Sequence, residues 1–123
     1  MNTGTSPDEH LQRQMLIDNL VSGNPAHQQL CPGVSFCSRD AGGHRGVALQ
    51  VAAMALQAGQ LERVLERRFE RALAFDGCYI YLDQQGAMII WHALPPQRQA
   101  LDKILSRMLS LANLEALDDA AIR

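Results

Sequence analysis

The segment from Leu61 to Leu94 limits the fold most, because its hydrophobic period changes from that of a helix to that of strands within one short stretch. Leu61 to Phe75 reads as one amphipathic helix. Steps of four residues give an apolar row (Leu61, Leu65, Phe69, Leu73), an acidic row (Glu62, Glu66, Glu70) and a basic row (Arg63, Arg67, Arg71). Asp76-Gly77 stops the helix, Gly being the residue that most easily takes the left-handed conformation a helix end needs. Two runs follow, Cys78 to Leu82 and Ala87 to Trp91, on either side of the turn Asp83-Gln84-Gln85-Gly86, and they read as a hairpin. A helix leading directly into a hairpin predicts an α+β domain.

Arg68 breaks the fourth row of that helix, between Val64 and Ala72, and so points into an apolar sector. Its stem can lie over the core while the guanidinium reaches water. Alternatively it crosses a subunit interface to a partner carboxylate.

Ahead of this segment, Ser6-Pro7-Asp8-Glu9 predicts a capped helix start, and Leu11, Met15, Leu16, Ile17 and Leu20 give the helix an apolar face that Ser22-Gly23-Asn24-Pro25 ends. Ala26 to Gly33 reads as a connection. Val34 to Cys37 alternates as a strand, Asp40 to His44 turns, and Val47, Leu49 and Val51 open a second strand that is read as continuing to about Leu56. After Leu94-Pro95-Pro96, the spacing of Leu101, Ile104, Leu105, Met108, Leu111 and Ala112 predicts a last helix to about Leu117. The expected order is α-β-β-α-β-β-α in a single domain over residues 6–117, with an antiparallel sheet packed by helices. Residues 1–5 are expected to be disordered and 118–123 to fray.

Several function classes are disfavoured. The net charge is −2 and the eleven basic residues are dispersed among acids, so no basic footprint for nucleic acid forms. Apolar runs fall short of a membrane span, and the start lacks the basic and apolar regions of a secretory signal, which predicts a cytoplasmic protein. His27, Cys31, Cys37 and His44 have the residue types of a metal site, but their spacings match no common zinc pattern, and no metal or cofactor is expected. Cys37 or Cys78 with His92 would need an orienting third residue that the sequence does not show, so no catalytic set is assigned. Tyr79, Tyr81 and Trp91 supply much of a small aromatic content and suit the core or an interface.

The order of elements, with Phe69 to Asp83 at its middle, resembles the class I type III secretion chaperones, small bacterial cytoplasmic proteins that bind effectors before export. The likeness is most specific where Gly77-Cys78 leads into aromatic and aliphatic residues and Leu82-Asp83, and it continues through Leu94-Pro95 to the helix opened by Leu101-Asp102. Where the family carries three strands ahead of the middle helix, this sequence reads as two. The resemblance implies a homodimer, or a heterodimer, built on the middle helix and later strands, here Leu65, Arg68, Phe69, Ile80, Ile89 and Trp91. It also implies apolar grooves, here Leu16, Leu20, Val34, Phe36, Val47 and Leu49, holding an extended N-terminal segment of a client, with no catalysis. The client would be a secreted effector or a component or regulator of the secretion machine. Taken singly, each of these positions also fits an ordinary core. Other readings are an adaptor that binds a folded partner and a zinc- or thiol-dependent enzyme.

Overall fold

The computed structural model describes residues 7–118. Helix α1 (Pro7–Ser22) is followed by strands β1 (His27–Cys31), β2 (Val34–Ser38) and β3 (Gly46–Val51), helix α2 (Gln60–Glu70), strands β4 (Tyr79–Leu82) and β5 (Met88–Ala93), and helix α3 (Arg98–Leu111). All neighbouring strands are antiparallel in one sheet, ordered β1-β2-β3-β5-β4. The α+β fold with an antiparallel sheet packed by helices is as expected. The expected cap at Ser6 and disorder of residues 1–5 lie outside the described residues.

Strand register assigns the two faces. Phe36, Leu49, Ile90 and Ile80 form one cross-strand row, and Val34, Val51 and Met88 lie in the next row on the same side. This side carries the main core, which takes Leu16, Ile17 and Leu20 from α1, Val64 from α2, and Leu101, Leu105, Met108 and Leu109 from α3. The opposite side carries a smaller cluster of Ala48, Ala87, Ile89 and Trp91.

One strand was not expected. His27–Cys31 pairs with β2, so three strands precede α2, as in the class I chaperones. The pattern conceals it because its one buried residue is Gln28, a polar side chain of low strand propensity. The hairpin is closed by Pro32-Gly33, with Gly33 at φ +84°, the composition of a type II turn.

Three boundaries move. Strand β3 ends at Val51 rather than Leu56, and Ala53–Ala55 makes a 3-10 turn, following the helical preference of Ala and Met. Helix α2 ends at Glu70 rather than Phe75, and turns carry the chain on to Gly77. Gly77 stands at φ +87° where a Cβ would lie 2.6 Å from the His92 Nε2, so both its backbone and its surroundings require glycine. Helix α3 stops at Leu111, short of Leu117. Asn113 takes a left-handed φ of 63°, and the Leu114 amide donates to the Leu109 carbonyl, which closes the helix end.

Asp118, expected to begin a frayed tail, is buried instead. Its Oδ1 accepts from Arg13 Nη1 and from Ser106 Oγ, both at 3.1 Å. Arg13 is 3% exposed and also donates to the Asp102 carboxylate and main-chain carbonyl and to Ser106 Oγ. One guanidinium thus ties α1, α3 and the chain end together. The remainder of the expected tail lies outside the described residues.

Candidate interaction surfaces

Helix α2 is held by its polar residues and leaves its apolar row outside. Of its residues only Gln60 and Val64 are buried. Gln60 Oε1 accepts from the Gln57 amide, and its Nε2 donates to the Ala112 carbonyl. Arg67 donates to the Ser110 carbonyl, and Arg68 Nε donates to the Cys78 carbonyl at 3.0 Å. Arg68 therefore pins the end of α2 to the entry of β4 within its own chain. Leu65 and Phe69 stand 46% and 85% exposed one turn apart on the helix surface, and Leu73, in the turns beyond the helix end, is 94% exposed. Isolated exposed apolar residues are ordinary, but three in a row at four-residue spacing form a patch.

Strand β4 lies at the sheet edge with Tyr79, Tyr81 and Leu82 exposed. A bare apolar edge is a template for further strand pairing. Of the six residues expected at a dimer interface, Leu65 and Phe69 are on the surface. Arg68 and Ile80 are half-buried, with Ile80 packed on the main core, and Ile89 and Trp91 are buried on the face opposite that core. Leu73, Tyr79 and Leu82 complete the exposed set. Leu73 was already visible in the four-residue row.

Trp91 organises that opposite face. Its Nε1 donates to the Arg39 carbonyl at 2.7 Å, and the Tyr79 ring stands 6.0 Å away at 45°. Arg39 in turn donates to the Tyr81 hydroxyl. The indole lies against Gly46, where a Cβ would be 2.3 Å from the ring. Gly46→Ala must therefore displace Trp91, at a cost of about 1–3 kcal/mol for overpacking. The expected result is a lower denaturation midpoint together with red-shifted tryptophan emission, which reports this single indole.

The six residues expected to line a client groove do not do so as a set. Leu16, Leu20, Val34, Phe36, Val47 and Leu49 are all buried members of the main core, because α1 and α3 close over that side of the sheet. Instead, a groove of about 590 Å³ runs between α1 and the other edge strand, β1. Met15 and Leu16 line it from the helix, and every residue of β1 lines it from the sheet. Met15 is 61% exposed and follows the exposed Leu11 by one turn, so α1 has a second apolar face besides the one in the core.

His27 and Cys37 are register partners, yet among the described residues no three His, Cys, Asp or Glu side chains come together as a metal site. Burial pushes the Cys37 and Cys78 thiols up from their ordinary value, opposed at Cys37 by Arg39 and at Cys78 by Arg107 and Arg68. Both are thereby held in the less nucleophilic thiol form.

Among the described residues no helix is long and apolar enough to cross a membrane. Neither the curated proteins nor the solved structures contain a significant match to the chain. A family model does match, over residues 8–117, from α1 through the turn after α3. The match supports the expected association with type III secretion and does not single out the class I chaperones. With nearly all of the chain inside the matched span, the protein belongs to the HrpV-like family.

Proposed function

We propose that this protein is a non-catalytic binding protein of the type III secretion system, acting in the bacterial cytoplasm. It holds an extended N-terminal segment of a secreted or secretion-apparatus protein in the groove between α1 and β1 and keeps that segment soluble and ready for export. The observation that carries this reading is the groove itself. It joins a sheet edge, whose outer main-chain groups can pair with an added strand, to the exposed apolar residue Met15. Main-chain pairing supplies affinity for extended segments in general, and side-chain pockets then select among them. The row Leu65, Phe69, Leu73 is a separate surface, and on it the protein pairs with a second copy of itself.

Co-expression with the secreted and apparatus proteins of the same system tests the groove. Copurification of a partner through its N-terminal segment is expected, and Met15→Asp should abolish it by placing a carboxylate on the apolar wall. Because Met15 is exposed, the fold should be unaffected. Partner capture that is indifferent to Met15→Asp would remove the groove from the function and favour an adaptor acting through α2.

A further inference from the structure

The groove between α1 and β1 contains a polar atom that the free protein leaves unserved. Gln28 is the one buried residue of β1, 8% exposed, and its Oε1 is buried without a hydrogen-bond partner. Buried acceptors are nearly always paired, and one that is not penalises the free fold. The cause lies in the register. Gln28 ends the core-side row that continues through Phe36, Leu49 and Ile90, and none of these side chains carries a donor. Among the described residues there is no further strand on the outer side of β1.

A segment pairing with that edge would place one residue directly opposite Gln28 on the same face, since cross-strand partners share a side of the sheet. The residues two positions away along β1, Ala26 and Leu30, are apolar and pack on the core. The groove around them carries four carboxamides, Gln12, Asn19, Gln28 and Gln29, and among the described residues lining it there is no Asp, Glu, Lys or Arg. Apart from the exposed imidazole of His27, such a wall would leave an incoming charge without an ionic partner, but it can hydrogen-bond a neutral polar group.

Resting on the strand-addition reading above, we infer that Gln28 is a specificity residue. It selects an extended, uncharged segment of a partner protein that presents Asn, Gln, Ser or Thr opposite it, with apolar residues two positions to either side. The donor on the incoming side chain satisfies Gln28 Oε1, so the penalty borne by the free fold is relieved only in the complex.

The test probes an array of overlapping synthetic peptides, covering the secreted and apparatus proteins of the same secretion system, with the full-length protein and its Gln28→Met variant. Peptides retained by the wild type are expected to share Asn, Gln, Ser or Thr at one position. They should bind the variant roughly tenfold more weakly, the scale of a lost hydrogen bond with the peptide's donor left unpaired. Replacing that peptide residue by Leu should weaken wild-type binding by a similar factor and leave binding to the variant unchanged. Retained peptides with no such preference, or equal affinities for the two proteins, would overturn the inference while leaving strand addition standing. Absence of any retained peptide would overturn both. A Gln28→Met protein that fails to fold or melts well below the wild type would also overturn it, because the carboxamide would then serve the free fold.

Discussion

Arg13→Ala should destabilise the protein by about 3 kcal/mol or more, measured by urea denaturation, because it removes the cation from a buried ion pair and leaves a buried carboxylate behind. The two side chains of that pair, Arg13 and Asp118, are 4% and 8% exposed, so solvent screens little of their interaction. Asp102, the second carboxylate, is 46% exposed and can be rehydrated, so its share is small. Arg13→Met keeps much of the packing volume but strands the same carboxylate, and it should recover only part of the loss. Arg13→Met combined with Asp118→Asn should recover more, since the buried negative charge is then removed together with its guanidinium partner. A loss below about 1 kcal/mol for Arg13→Ala would show that the contact contributes no more than a surface pair. The same substitution should free the chain end, which would appear as faster proteolysis near residue 118.

Replacing both Leu65 and Phe69 with aspartate should convert a self-associating protein into a monomer without lowering its stability. Light scattering on the wild type at micromolar concentration should give a mass near twice 13.6 kDa, and the double variant a mass near 13.6 kDa. Both side chains are largely outside the fold, so the denaturation midpoint should move by no more than about 0.5 kcal/mol. Two carboxylates in a desolvated apolar contact would cost far more than that. A wild type that is monomeric under these conditions would assign the Leu65, Phe69, Leu73 row to a different protein. Arg68→Glu offers a contrast. It should lower stability by removing the donor to the Cys78 carbonyl, and any effect on mass would follow from that loss rather than from a broken intersubunit pair.

Much of the fold is legible from local chemistry alone. The four-residue rows of α2 and the apolar runs of β4 and β5 are local signals, and local preference and tertiary structure agree on them, although α2 stops at Glu70, ahead of Gly77. The apolar row of α2 was equally legible, because an apolar row at helical spacing is a property of sequence. Whether that row faced the core was not, since it depends on which other elements arrive to cover it. In the fold, Gln60, Arg67 and Arg68 bond to the neighbouring main chain, and Leu65, Phe69 and Leu73 are left outside.

Strand β1 shows the limit from the other side. Its residues His27, Gln28 and Gln29 carry no strand preference, and they are extended because β2 pairs with them across Pro32-Gly33. Hairpin pairing of this kind supplies its free energy only once both strands are in place, so the residues of β1 taken alone do not announce it. The same holds for Arg13 and Asp118, 105 residues apart, which read as a helix-surface cation and a tail acid until the last turn brings them into contact. The expected client groove failed for a related reason: period identified Leu16, Leu20, Val34, Phe36, Val47 and Leu49 as apolar, but only the docking of α1 and α3 decided that they are core. The same docking leaves Met15 and the edge of β1 open to a partner. The amino-acid order therefore determined which residues avoid water and which segments could be helix or strand. The tertiary structure decided which apolar faces found cover, because burial is a property of pairs of elements and not of either one alone.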